Sequence, residues 1–153
     1  VPGRTSSNLS ASTTVRLAKD FENIVAIKEA SGDMDQIMRI LKYKPIDFIV
    51  LSGDDSLTLP MIHMGAEGVI SVIGQSHPHD YSDMVSFALS EERELANQIH
   101  YKIYDFYGPL YDEGNPVGIK ACLEVLGICN SVVRLPLIEA TSIIKNKLKE
   151  LLN

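Results

Sequence analysis

Three short apolar runs constrain this chain more than any other feature: Ile24–Ala30, Phe48–Ser52 and Gly68–Ile73. Each is nearly continuous in apolar character rather than alternating, is rich in β-branched residues, and ends in turn residues. Ser31-Gly32-Asp33 follows the first run, Gly53-Asp54-Asp55 the second and Gly74 the third. Runs of that length and texture predict strands buried on both faces, the pattern of a parallel sheet. The segments between them carry helical spacing. Asp33 is placed to N-cap a helix with Ile37, Ile40 and Leu41 on one stripe, which Pro45 stops, and a short helix over Ser56–Met64 ends at Gly65. Strand–helix alternation predicts βα units, and starts near residues 24, 48 and 68 suit a (β/α) barrel as readily as an open sheet.

The flanks are different. Pro2-Gly3 predicts a turn, followed by a helix over Ser10–Phe21. Beyond the third run the chain reads as helices at His79–Ser90, Glu91–Tyr111, Val117–Leu126 and Ile138–Leu152, with Pro116 and Pro136 at or just before helix starts. Three strands cannot close a barrel. The expected fold class is therefore α/β, the later part of something larger: a partial (β/α) barrel over 1–77, then a final barrel helix and a helical region over 78–153.

Composition excludes several classes of function. The 153 residues suffice for one domain with a core, and the 45% hydrophobic and 22% charged fractions are those of an ordinary globular protein. A net charge of −6 with no Lys/Arg-rich window argues against nucleic acid as a partner. No apolar stretch reaches the ~18 residues of a membrane span. The chain begins Val-Pro-Gly-Arg, with no initiator Met and no signal-peptide pattern. Cys122 and Cys129 lie seven apart without neighbouring His or Cys, which matches no zinc motif and predicts reduced, packing cysteines in a cytoplasmic protein.

The candidate chemistry begins with Lys28. In parallel α/β folds, reactive groups gather at the C-terminal ends of strands, and Lys28 stands near such an end. It shares a strand face with Ile24, Ala26 and Ala30, while Val25, Ile27 and Glu29 take the other. Burial lowers an amine's pKa toward neutrality, and only the neutral amine attacks a carbonyl. That is the requirement for a Schiff-base lysine; the competing reading is a strand-end lysine reaching solvent along its stem. Gly53 closes the second strand, where a missing side chain lets a ligand approach the backbone. Ile70 lies in the third run and suits a pocket wall. Arg4 offers a fork for a carboxylate or is an exposed turn residue. Asp54-Asp55 reads as a helix cap before a metal site, and His77-Pro78-His79 is too short and isolated for one. Tyr101, Tyr104, Tyr107 and Tyr111 recur at helical steps, which suits helix packing or a subunit contact.

Taken in order, five segments carry a resemblance: Val1-Pro2-Gly3-Arg4-Thr5, Ile27-Lys28-Glu29-Ala30-Ser31-Gly32-Asp33, Leu51-Ser52-Gly53-Asp54-Asp55, Gly68-Val69-Ile70-Ser71-Val72 and Asn115-Pro116-Val117-Gly118-Ile119-Lys120. The chain resembles the dihydrodipicolinate synthase and N-acetylneuraminate lyase family of pyruvate-dependent lyases, across essentially its whole length. The resemblance implies the last three strands of a (β/α)8 barrel plus C-terminal helices. It implies Lys28 as the residue that forms an imine with the keto carbon of pyruvate. Arg4 is implied at the site entrance, on the second substrate's carboxylate, and Gly53 and Ile70 beside the lysine.

The arginine and the Asn-Pro turn resemble the lysine-pathway branch, which implies condensation of pyruvate with aspartate semialdehyde. An aldolase for a sugar acid or sialic acid is the alternative within the family. A non-catalytic assembly module, or an independent three-strand domain with an unrelated ligand, is the alternative outside it. No metal or organic cofactor is implied, and the family implies a homo-oligomer, usually a tetramer.

In the family, a tyrosine proton relay, the threonine pair that holds the pyruvate carboxylate, a tyrosine lent by a neighbouring subunit and the lysine-inhibition site all precede the segment matched here. The expectation is therefore a C-terminal fragment, nearly inactive alone. Loss of a proton relay costs on the order of 10² to 10⁴ in rate. An uncovered strand edge would also favour self-association.

Overall fold

A computed structural model describes residues 1–153. The chain divides into two compact units, one of residues 1–71 and 85–96, the other of residues 72–84 and 97–153.

The first unit holds the parallel sheet. Helix α1 (Pro2–Thr5) is a single turn where the sequence predicts only a bend, and Ser6 closes it in the left-handed region at φ 52°. Helix α2 (Ala11–Asp20) starts where expected, because the Ser10 side chain accepts from the backbone N–H of Thr13. Strand β1 (Ala26–Glu29) and strand β2 (Ile49–Ser52) run parallel, with Ala26 opposite Ile49, Ile27 opposite Val50, Lys28 opposite Leu51 and Glu29 opposite Ser52. Between them α3 (Met34–Tyr43) begins at Asp33, whose carboxylate accepts from the N–H groups of Asp35 and Gln36. Helix α4 (Thr58–His63) follows a 3₁₀ turn over Asp55–Leu57, and Gly65 leaves it at φ 109°, a conformation that suits glycine.

The core under this sheet is Ile37, Ile40, Phe48, Val50, Met61 and Ala66, with Ala18, Ile24, Ile27 and Leu41 packed against it. Burying Ile37 and Ile40 completely contributes roughly 1.5–3 kcal/mol each. The third apolar run departs from expectation. It forms one bridge, Val69 to Ser52, and then turns into a 3₁₀ segment at Ile73–Gln75. With no further strand beside it, nothing extends the ladder.

Helices α5 (Pro78–Leu89) and α6 (Arg93–Lys102) have residues in both units. The expected helix over Glu91–Tyr111 is broken: α6 stops at Lys102, a 3₁₀ turn covers Tyr104–Phe106, and α7 spans Tyr107–Tyr111. The break places Pro109 in the first turn of α7, where its missing N–H is no loss. Helix α8 (Val117–Val125) starts directly after Pro116. Helix α9 (Ser142–Leu151) starts later than the expected Ile138 and well after Pro136, since residues 132–141 run without helix.

In the second unit α7, α8 and α9 pack on one another around Ile103, Leu110, Ile119, Cys122 and Leu148. Lys145 of α9 bonds Glu124 Oε2 at 2.9 Å, Glu139 Oε2 at 3.2 Å and Ser131 Oγ at 3.0 Å. Cys122 packs as expected; Cys129 does not, standing exposed just after α8.

Candidate functional site

Parallel pairing puts opposed residues on the same side of the sheet. Ile27, Val50, Glu29 and Ser52 point to the face that α3 and α4 cover, and Val50, Ser52 and Glu29 are buried there. Ala26, Lys28, Ile49 and Leu51 point the other way. That face is open: Lys28 and Ala26 are exposed, Ile49 is 36% exposed and Ile70 49%. The expectation of strands buried on both faces therefore holds for one face only. The desolvation invoked for Lys28 is not supplied by the residues of this chain. Its ammonium makes no hydrogen bond or ion pair.

The stem of Lys28 is nonetheless placed. It lies along Gly53, the residue after β2. A Cβ on Gly53 would come within 2.6 Å of Lys28 Cε, 2.9 Å of Lys28 Cγ and 2.8 Å of Ala30 Cβ. The Gly53 N–H donates to the carbonyl of Glu29 at 2.7 Å, which continues the β1–β2 ladder past the strand ends. Ile70 joins from the third run, its N–H donating to the carbonyl of Ser52 at 2.9 Å. Lys28, Gly53 and Ile70 thus stand together at the C-terminal ends of the parallel segments. An amine there has one wall of small and branched side chains and an approach open from the other side.

Arg4 stands apart on α1. It is exposed, and its guanidinium makes no hydrogen bond or ion pair with the other three. Asp54 is a cap, as expected, accepting from the N–H and Oγ of Ser56. His77 packs against Phe106 with ring centroids 4.3 Å apart and the rings tilted by 59°, and it meets Ser76 Oγ at 2.9 Å; burial holds its pKa below the usual histidine value. Tyr101, Tyr104 and Tyr107 surround His100 in one ring cluster; burial lowers its pKa too. No three His, Cys, Asp or Glu residues gather as metal ligands would.

One feature of the site escapes sequence reasoning. Glu29, next to Lys28 but on the covered face, is 4% exposed. Its Oε1 accepts from the Ser31 N–H at 2.6 Å and its Oε2 from Gln36 Nε2 at 3.1 Å. Gln36 pairs in turn with Asn8. The signal was a carboxylate sharing a strand face with Ile27: a buried carboxylate needs donors, and Gln36 lies on the first turn of the following helix.

Comparison with known proteins covers the whole chain. A model of the dihydrodipicolinate synthetase family matches residues 1–153. A 4-hydroxy-tetrahydrodipicolinate synthase of Phocaeicola vulgatus is 47% identical over 153 residues, covering 100% of this chain and 52% of its own. The crystal structure of dihydrodipicolinate synthase from Aquifex aeolicus superposes with a TM-score of 0.95 at 43% identity, over 99% of this chain and 52% of its own. A chloride-inhibited dihydrodipicolinate synthase from Acinetobacter baumannii, complexed with pyruvate, gives a TM-score of 0.94 at 33% identity over the same shares, 99% and 52%. The chain spans about half the length of the curated relatives it matches.

Proposed function

The chain belongs to the dihydrodipicolinate synthetase family, and from that premise we propose that it carries the Schiff-base half of a 4-hydroxy-tetrahydrodipicolinate synthase. The reaction is condensation of pyruvate with aspartate semialdehyde. Lys28 Nζ attacks the keto carbon of pyruvate and water leaves, giving a protonated imine. The imine draws electrons from the adjacent C–H bonds, so a methyl proton departs and leaves an enamine. The enamine carbon then attacks the aldehyde carbon of the second substrate. Arg4 receives that substrate's carboxylate, while Gly53 and Ile70 shape the wall beside the imine.

The observation that carries this reading is the Lys28 stem laid along Gly53 at the end of a parallel strand, in a chain matched by the family model throughout. The open face of the sheet is completed, in this proposal, by the part of the family's chain that these residues do not span. That part also supplies the groups that hold the pyruvate carboxylate and relay the proton. The complete enzyme is proposed to be a cytoplasmic homo-oligomer of the tetrameric kind. No helix is long and apolar enough to cross a membrane.

The test is a fusion of this chain to the portion of the Aquifex aeolicus enzyme that it does not cover. Expected is condensation of pyruvate with aspartate semialdehyde, and little cleavage of sialic acid or keto-deoxy-gluconate. Preference for either sugar acid would move the assignment to the aldolase branch. Turnover undiminished by Lys28→Met would end it.

A further inference from the structure

We infer that Gln36, clasped between Glu29 and Asn8, positions the Arg4-bearing segment relative to the strand end that carries Lys28, and so sets the affinity for the second, carboxylate-bearing substrate. The role rests on the function proposed above; the tether itself does not.

Residues 1–9 make few bonds beyond themselves. Arg4 N–H donates to the Val1 carbonyl and Ser6 N–H to the Pro2 carbonyl. Thr5 Oγ1 donates to the Ser7 carbonyl at 3.0 Å and accepts from the Ser7 N–H at 3.3 Å. Those contacts make 1–7 a folded local unit and include no hydrogen bond to the rest of the chain. The tie is Asn8: its Nδ2 donates to Gln36 Oε1 at 2.8 Å, and its Oδ1 accepts from Gln36 Nε2 at 3.2 Å. Two antiparallel amide bonds fix orientation as well as distance, which a single bond would not.

Gln36 can hold that pose because it is itself held. It is 8% exposed, its backbone N–H is bound by Asp33 Oδ1, and its Nε2 also donates to Glu29 Oε2. Glu29 in turn is one residue from Lys28 and grips the Ser31 N–H that begins the following loop. The hydrogen-bonded path from the Arg4 segment to the Lys28 strand thus runs through the Asn8 and Gln36 amides and the Glu29 carboxylate. Only an amide serves, because this position must donate to Glu29 and both donate to and accept from Asn8. Gln36 touches no substrate in this scheme; it is a positioning residue.

The first experiment uses the 153-residue chain and ¹⁵N relaxation. Residues 3–8 are expected to be as ordered as α3 in the unsubstituted chain, and to become mobile in Gln36→Leu and in Asn8→Ala while β1 and α3 stay ordered. Asn8 is exposed, so its variant breaks the pair without disturbing the core. Exchanging the partners, Glu29→Gln with Gln36→Glu, keeps a donor–acceptor pair between 29 and 36 but leaves Asn8 Oδ1 without its donor, and is expected to leave residues 3–8 as mobile as Gln36→Glu alone does. Residues 3–8 as ordered in the variants as in the unsubstituted chain overturn the tether.

The second experiment uses the fusion described above. In Asn8→Ala the KM for aspartate semialdehyde is expected to rise about tenfold, the scale of losing one charge-assisted bond at Arg4. The KM for pyruvate and the rate of borohydride trapping at Lys28 stay unchanged. A fall in kcat with both KM values constant overturns the positioning role. Absence of Lys28 trapping in the unsubstituted fusion instead overturns the function proposed above and the substrate role with it, while the relaxation result stands on its own.

Discussion

The Lys28 stem occupies the space that a side chain on Gly53 would take: a Cβ there would sit 2.6 Å from Lys28 Cε and 2.9 Å from Lys28 Cγ. The glycine is therefore part of how the lysine is aimed. Gly53 does not need its freedom of φ, since its conformation is not left-handed; it needs its smallness.

Gly53→Ala is expected to push the Lys28 stem off the sheet and crowd Ala30, whose Cβ would be 2.8 Å away. The lysine can swing outward into the open face, but Ala30 is fixed to β1 by the backbone. The expected loss of stability is about 1–3 kcal/mol, the range of overpacked sites, measured by urea unfolding. In the fusion, trapping of pyruvate at residue 28 should slow along with it. An unchanged midpoint and an unchanged trapping rate would show that the contact is incidental.

Gly118→Ala is expected to be harsher. A Cβ there would fall 2.6 Å from the Leu110 carbonyl carbon and 2.7 Å from Leu110 Cα. These are backbone atoms, with no rotamer to move aside, so α7 and α8 must separate. We expect a loss of about 3 kcal/mol or more, read as a lower urea midpoint for the helical unit. A loss under ~1 kcal/mol would mean that the two helices part easily.

Acid should loosen the second unit by an identifiable route. The Lys145 side chain, with Ser131 assisting, holds Glu124 down to about 2 from the usual 4.5. A carboxyl with a depressed folded-state pKa contributes stability that is complete above its unfolded pKa and is lost as pH falls through the folded value. The window is thus pH 4.5 down to about 2. Hydrogen bonds from Ser131 and Lys145 lower Glu139 in the same sense. Thermal unfolding should therefore lose more between about pH 5 and about pH 2.5 in the native chain than in Lys145→Met, which lacks the pairing at either pH. Parallel curves for the two proteins would contradict this.

Asp33→Ala should cost about 1 kcal/mol, the usual cost of losing an N-cap, because it strands the N–H groups of Asp35 and Gln36. Thermal unfolding checks it, and a change within ~0.3 kcal/mol would mean that water replaces the cap without loss.

That cap illustrates what was legible in the sequence. Ser10, Asp33, Asp54 and Pro116 mark element starts by local chemistry, and the structure puts each where the sequence does. The nearness of Gly53 to the strand end that carries Lys28 was legible too, since ends of parallel strands lie side by side, whereas Ile70 was placed beside them by the resemblance. Less local facts were not. The apolar spacing of Ile99, Ile103, Phe106 and Leu110 runs through the break after Lys102, so periodicity hid it; Gly108-Pro109 was the available sign. The third run has the composition of a strand but only Val69 bridges, because a ladder needs a neighbour and composition cannot supply one. The exposure of Lys28 was hidden for the same reason. Whether a strand face is covered depends on what packs over it, and here nothing within the chain does.

The most direct test of Lys28 as the imine-forming residue is reductive trapping. The chain alone and its fusion to the uncovered portion of the Aquifex aeolicus enzyme are each incubated with pyruvate and borohydride, then mapped by mass spectrometry. The expected result is an adduct concentrated on Lys28 in the fusion, with no preference for Lys28 over the other lysines in the chain alone, where its amine stands open to water. An adduct spread evenly over the lysines of the fusion, or absent from Lys28, would contradict the assignment.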